Sequence, residues 1–268
     1  MSHVYSTVLK IAGNECSRVA GHPLVIITSL VLFIFAVLNG LGGKEMLVDL
    51  AGSDPGNVII STGLGQVLYS IAFLCTIVAV FVGAMSVVQE RSKSSLLLLL
   101  TKPLYRRDII AGKFLGLSLF MLVFIALNVA VNVFMIVLFF QAPVQTVEFL
   151  FRIFFFILVL FIECSLSLAI MMLAGVILQD LLKVALVAVT YVYLEWFALI
   201  QAYIGWWTNV SPRSMFFSIV LGSGTLLDTS IAYTTWLGRF LPQILLMVVL
   251  TVGIFLLDCV VFARRSEP

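Results

Sequence analysis

The sequence predicts an all-α polytopic membrane protein, and three observations predict it. Hydrophobic residues make up 62% of the 268-residue chain, charged residues only 10%, and the mean hydropathy is +1.20. Soluble domains carry about 25% charged residues. Six apolar runs reach the roughly 20 residues that a helix needs to cross about 30 Å of hydrocarbon. The charges that remain are concentrated between the second and third of these runs. A net charge of +2, thinly spread, gives no basic surface for nucleic acid.

Taken in order, residues 1–22 read as an amphipathic helix lying in the membrane interface. Val4, Val8, Ile11, Ala12, Cys16 and Val19 recur at helical spacing, with Lys10, Asn14, Ser17 and Arg18 on the other side. Pro23 then opens the first span, where its missing N–H costs nothing. Within a membrane domain of residues 23–265, the spans are expected at about 24–42, 66–88, 114–140, 149–178, 182–205 and 240–262. The third and fourth are longer than the bilayer requires, so tilt or a kink is expected. Residues 206–239 carry Trp206, Trp207 and Trp236 around the half-apolar MFFSIVLGSGTLL. That is the pattern of an aromatic belt with a short re-entrant or interfacial helix in an outer loop.

Sidedness follows from the positive charges. With both termini in the cytoplasm, Lys10, Arg18, six cations between spans two and three, Lys183, Arg264 and Arg265 lie inside, eleven of the fifteen Lys and Arg residues. Lys44, Arg152, Arg213 and Arg239 are left outside. The expectation is a multi-pass plasma-membrane protein with cytoplasmic termini.

Several chemistries are excluded. Cys16, Cys75, Cys164 and Cys259 are scattered without a CxxC, and His3 and His22 both precede the first span. No metal site is expected, and the thiols read as inert. Gly43-Lys44 and Gly112-Lys113 lack the upstream glycine and following hydroxyl of a phosphate-binding loop. The chain therefore does not cradle ATP, and with no HExxH or Ser-His pair in the spans it is not expected to be an enzyme.

The charged island runs from Glu90 to Gly116, ERSKSSLLLLLTKPLYRRDIIAGKFLG. It predicts a short surface helix broken at Lys102-Pro103. A second helix begins near Asp108, whose charge suits a first turn. On charge alone, contact with anionic lipid and docking to a soluble partner both stand.

The order of residues goes further. Glu90-Arg91, Ser95-Leu96, Thr101-Lys102-Pro103, Arg106-Arg107-Asp108 and Gly112-Lys113 together resemble the permeases of type-2 ABC exporters, which have the type V transporter fold. So does the N-terminal helix with Glu15, Arg18 and Pro23. Within that family the chain is similar to six-span permeases serving copper-enzyme maturation, such as that of nitrous oxide reductase. It departs at Tyr105, where Ser or Thr often stands, and at Asn14-Glu15, where Lys-Glu is usual.

The resemblance implies that residues 89–104 form a cytoplasmic coupling helix seated in a cleft of a separate ATPase. Glu90, Arg91, Lys93, Ser95, Leu96 and Lys102 would make that joint. Arg106, Arg107 and Lys113 would hold lipid or partner phosphate. It also implies a homodimer of permeases with two ATPase copies, ATP and Mg on the ATPase, and no cofactor on this chain.

Glu163, Glu195 and Asp258 fall inside apolar runs, where acids are costly and usually functional. At 1.5 Å per residue Glu163 lies about 22 Å and Glu195 about 18 Å from the inner ends of their spans. Asp258 lies near the inner end of the last span, within reach of Arg264 or interfacial water. No Lys or Arg shares the midplane, so each Glu is either neutral and bonded to a neighbour such as Asn128 or Asn132, or opens on a wet cavity. By the resemblance, spans two and five line the path at the dimer interface. That makes Tyr69, Thr76, Tyr191, Glu195, Trp196 and Gln201 the cavity candidates. A carboxylate among aromatic rings suits a cationic or amphipathic cargo. The competing class is an ion-coupled carrier or channel working through the midplane acids; missing inverted repeats count against a carrier.

Overall fold

In the computed structural model, which describes residues 2–50, 64–92, 106–139, 146–178, 180–197, 211–221, 226 and 231–264, the regular elements are all helices. They are α1 (Ser2–Ala20), α2 (Pro23–Leu50), α3 (Leu64–Ser92), α4 (Arg106–Phe139), α5 (Thr146–Leu178), α6 (Leu181–Trp196), α7 (Pro212–Val220) and α8 (Tyr233–Arg264).

Local sequence sets the boundaries. Arg18 stands in the last turn of α1, and Pro23 opens α2. Between them the His22 N–H donates to Val19 O, while the His22 carbonyl accepts from Val25 N and Ile26 N. The two helices meet at a bend of 59°. Asp180 caps α6 by accepting from Leu182 N at 3.2 Å. Ser211 caps α7 by accepting from Ser214 N, with Pro212 as the first helical residue.

Four stretches are each long and apolar enough to cross a bilayer: Val67–Ser86, Ile109–Met135, Thr146–Leu178 and Tyr233–Arg264. The bent pair Leu9–Ala20 and Pro23–Leu38 qualifies as a fifth, broken span. Six were expected. The difference lies in α6, whose 16 residues rise about 24 Å and fall short of the hydrocarbon thickness. The rest of the expected fifth span, like Gln201, Trp206 and Trp207, lies outside the described residues.

The centre of the bundle is α5, which packs on α3, α8, α4, α6 and α7. Glycine sets two of the closest approaches. A Cβ at Gly83 of α3 would lie 2.8 Å from the Leu168 carbonyl oxygen of α5. A Cβ at Gly116 of α4 would collide with the backbone of Ala12 in α1. So α1 runs against α4 with Ala12 and Val19 buried, while Lys10, Asn14 and Ser17 are exposed. The outward faces are apolar: Ile26, Leu30 and Phe33 on α2, Leu115, Leu119 and Leu127 on α4, Val249, Val252 and Leu256 on α8 are all exposed. Exposed apolar columns of this extent need lipid as their solvent.

Candidate functional site

A line of polar side chains threads the packed helices from α3 to α7. It starts at Thr76 of α3, which is buried and whose Oγ1 donates to Ala72 O at 2.8 Å. The same hydroxyl lies 3.2 and 3.1 Å from the two carboxyl oxygens of Glu163 on α5. Ser167, one turn along α5, reaches Glu163 Oε1 at 3.3 Å and the Tyr191 hydroxyl of α6 at 3.0 Å. Cys164 Sγ adds a contact to Glu163 Oε2 at 3.3 Å. Glu163, only 1% exposed, therefore finds hydroxyl partners on two helices. Asn128 and Asn132 do not serve it: their amides donate to Phe124 O and Asn128 O of their own helix.

One turn beyond Tyr191 stands Glu195, also 1% exposed. It lies one residue from the end of α6 rather than within a longer span. Ser211 donates to Glu195 Oε2 at 2.5 Å, so the residue that caps α7 also holds the end of α6. Arg213 Nη1 donates to the Glu195 carbonyl at 2.6 Å, satisfying one of the backbone oxygens that a helix end leaves without a partner. The expectation that no cation stands near this acid is thereby corrected. Arg213 was assigned to the outer loop, and the chain folds back to bring it to Glu195.

An aromatic box surrounds the pair. Trp196 lies 5.5 Å from Tyr69, 4.9 Å from Phe73 and 5.7 Å from Phe217, ring centre to ring centre. The Arg213 guanidinium sits 5.0 Å from the Trp196 ring and 4.9 Å from the Phe217 ring. Among the described residues, Glu195 Oε1, Trp196 Nε1, Arg213 Nε and Ser214 Oγ are buried here without hydrogen-bond partners. In this conformation the cavity candidates are packed together, and the seat for a cation holds the protein's own arginine.

The opposite end of the bundle has a different cluster. Lys113 of α4 is buried, and its ammonium donates to Glu15 of α1 at 3.2 Å and to Ser86 O of α3 at 2.6 Å. Glu15 also meets Arg18 at 2.7 Å. The expectation that Lys113 offers its charge to lipid or partner phosphate does not match this inward placement. Glu90, Arg91, Arg106 and Arg107 flank the cluster on α3 and α4, but their side chains, together with Lys93, Ser95, Leu96 and Lys102, lie outside the described residues.

Residues 9–266 match the family described as ABC-2 family transporter protein. The chain belongs to that family. The match covers nearly all of the sequence, so this is a membrane transport permease component of an ABC transporter and an integral membrane protein. No curated protein shows significant similarity to it.

Against that family background, the remaining placements are plain. Tyr69, Thr76, Tyr191, Glu195 and Trp196 are brought together, and Glu163 joins them. Asp258 is fully buried on α8, with no hydrogen bond to either oxygen among the described residues, Arg264 included. Trp236 packs inside, its Nε1 donating to Ile219 O at 3.1 Å, rather than facing a lipid belt. Sequence reasoning missed Ser167, Ser211, Arg213 and Phe217. Ser167 stands one turn from Glu163, a signal that helical spacing supplies. The others reach the site only through the return of the chain at α7.

A second feature, at the start of α5, was also missed. Arg152 of α5 is buried, and it holds Glu148 one turn before it at 2.6 Å, Leu226 O at 2.5 Å and Ile231 O at 2.6 Å. Leu226 N in turn donates to Ile219 O of α7. This arginine therefore fastens the segment after α7 to the start of α5.

Proposed function

We propose that this permease is the membrane half of an ATP-driven exporter. Two copies pair, each with a separate ATPase subunit that binds ATP and Mg. Both termini and the coupling segment 89–104 face the cytoplasm from the plasma membrane. The observation that carries this reading is the three-helix base around Lys113. The segment 93–105 joins α3 to α4, and Lys113 ties α4 to Ser86 of α3 and Glu15 of α1. A displacement delivered to that segment is received by three helices together instead of being lost in one.

At the other end the Tyr69, Trp196 and Phe217 box is the reading's cargo seat. Arg213 occupies it here. A cationic or amphipathic cargo takes the same rings when α7 withdraws from α6, the desolvated cation–ring attraction being worth about 2 kcal/mol.

The test is reconstitution of the full chain with its ATPase. Alanine at Glu90 and Arg91 is expected to weaken capture of the ATPase. Glu195→Gln is expected to leave the complex assembled while cargo movement falls. Cargo movement that continues without nucleotide hydrolysis would reject the reading in favour of an ion-coupled carrier.

A further inference from the structure

The bend between α1 and α2 encloses a cavity that the transport reading does not use. It has a volume of about 130 Å³ and lies between the bend and the Ser86 end of α3. That is room for several waters, or for one phosphate group. Leu24, Phe81, Val82 and Met85 form its apolar walls, and Arg18 and His22 stand at its mouth.

The polar side chains at the mouth carry donors. Arg18 meets Glu15 Oε2 as an ion pair at 2.7 Å through one guanidinium nitrogen, Nη2. A guanidinium carries five donors. His22 accepts from Leu24 N at 3.3 Å through Nδ1, so the N–H of the neutral ring is on Nε2. Glu15 is shared between Arg18 and Lys113, so the cluster of three charges is positive by one. No carboxylate lines the cavity among the described residues. On the side of α2 that carries Leu24, the exposed Ile27, Ile34 and Leu38 offer a surface for acyl chains.

We propose that this elbow cavity binds the phosphate of an anionic phospholipid from the leaflet at the α1 end, with the glycerol and chains lying along α2. The dimensions favour this occupant: the cavity takes a head-group phosphate, and the apolar surface outside takes what the cavity cannot. The lipid would act as a wedge holding α1 at its angle to α2. The site is independent of the cargo seat and stands or falls separately from it.

The test uses the full chain in detergent with a phosphatidylglycerol that carries a photoreactive acyl chain. Crosslinks are expected on α2 and on α3 near Phe81 and Met85. Arg18→Gln is expected to lower the affinity about five-fold, the weight of one cation at a bilayer surface. Met85→Trp fills the cavity without touching a charge and is expected to lower it too, with the thermal melt reporting that the bundle is intact. Lys10→Gln removes an exposed cation on the same helix and is expected to change little. Crosslinking that is equal with a zwitterionic analogue, that survives both Arg18→Gln and Met85→Trp, or that inorganic phosphate abolishes would overturn the proposal.

Discussion

The two ends of this permease bury charge in opposite ways. At the α1 end, Lys113 meets Glu15 and a backbone oxygen, and one ammonium joins three helices. At the α6–α7 corner, Glu195 and Arg213 are also held close, yet four polar atoms around them have no hydrogen-bond partner among the described residues, against one, Glu15 Oε2, at the α1 end. A buried polar atom without a partner costs about 1–3 kcal/mol. The first arrangement resists change, whereas the second gains hydrogen bonds by rearranging. A transporter needs both: a stiff part to receive displacement and a part whose packed form is only one of its stable forms.

The largest effect that could break this comparison comes from Lys113→Met. It takes from buried Glu15 one of its two cations, leaving Arg18, and from Ser86 O its donor, and is expected to cost about 3 kcal/mol, read as a loss of thermal stability in detergent. Replacing Glu15 as well should recover most of that loss, because an apolar pair of similar volume is often as stable as the ion pair. If the single change is silent, the base is not a lock.

Next comes Gly116→Val, which drives a side chain into the backbone of Ala12. Overpacking of this kind costs about 1–3 kcal/mol. Protection of α1 against proteolysis should fall in step, since α1 is the element displaced. At the corner, Arg213→Lys keeps the charge but loses the guanidinium that lies 5.0 Å from the Trp196 ring and 4.9 Å from the Phe217 ring. The expected cost is about 1 kcal/mol, with a change in Trp fluorescence. The smallest effect belongs to Ser214→Ala. Its hydroxyl has no partner, so stability should stay level or rise slightly, within about 0.5 kcal/mol by thermal melt. A clear loss there would mean that the corner is as tightly made as the base.

How far the sequence reaches can be judged from the same residues. The apolar face of α1 is legible from spacing, and Glu15 could have been placed on it, three residues after Ala12 and four before Val19. Lys113 was misread because a basic run invites a surface reading, while its partners lie on α1 and α3, far away in sequence. Thr76 and Glu163 were each singled out, but nothing in the sequence pairs residues 87 positions apart. Ser211 and Arg213 were hidden for a related reason. Their contacts depend on α6 stopping at Trp196, and an apolar run does not announce where its helix ends. Composition determines that helices cross a bilayer; which polar groups meet between them is decided by register.

The clasp made by Arg152 has a practical corollary. Because one guanidinium holds the carbonyls of Leu226 and Ile231, the chain leaves and re-enters that grip at two neighbouring points. An epitope spliced in between Leu226 and Ile231 would begin and finish near these two anchors. Antibody access to it in whole cells against inverted vesicles would then report which way the molecule sits.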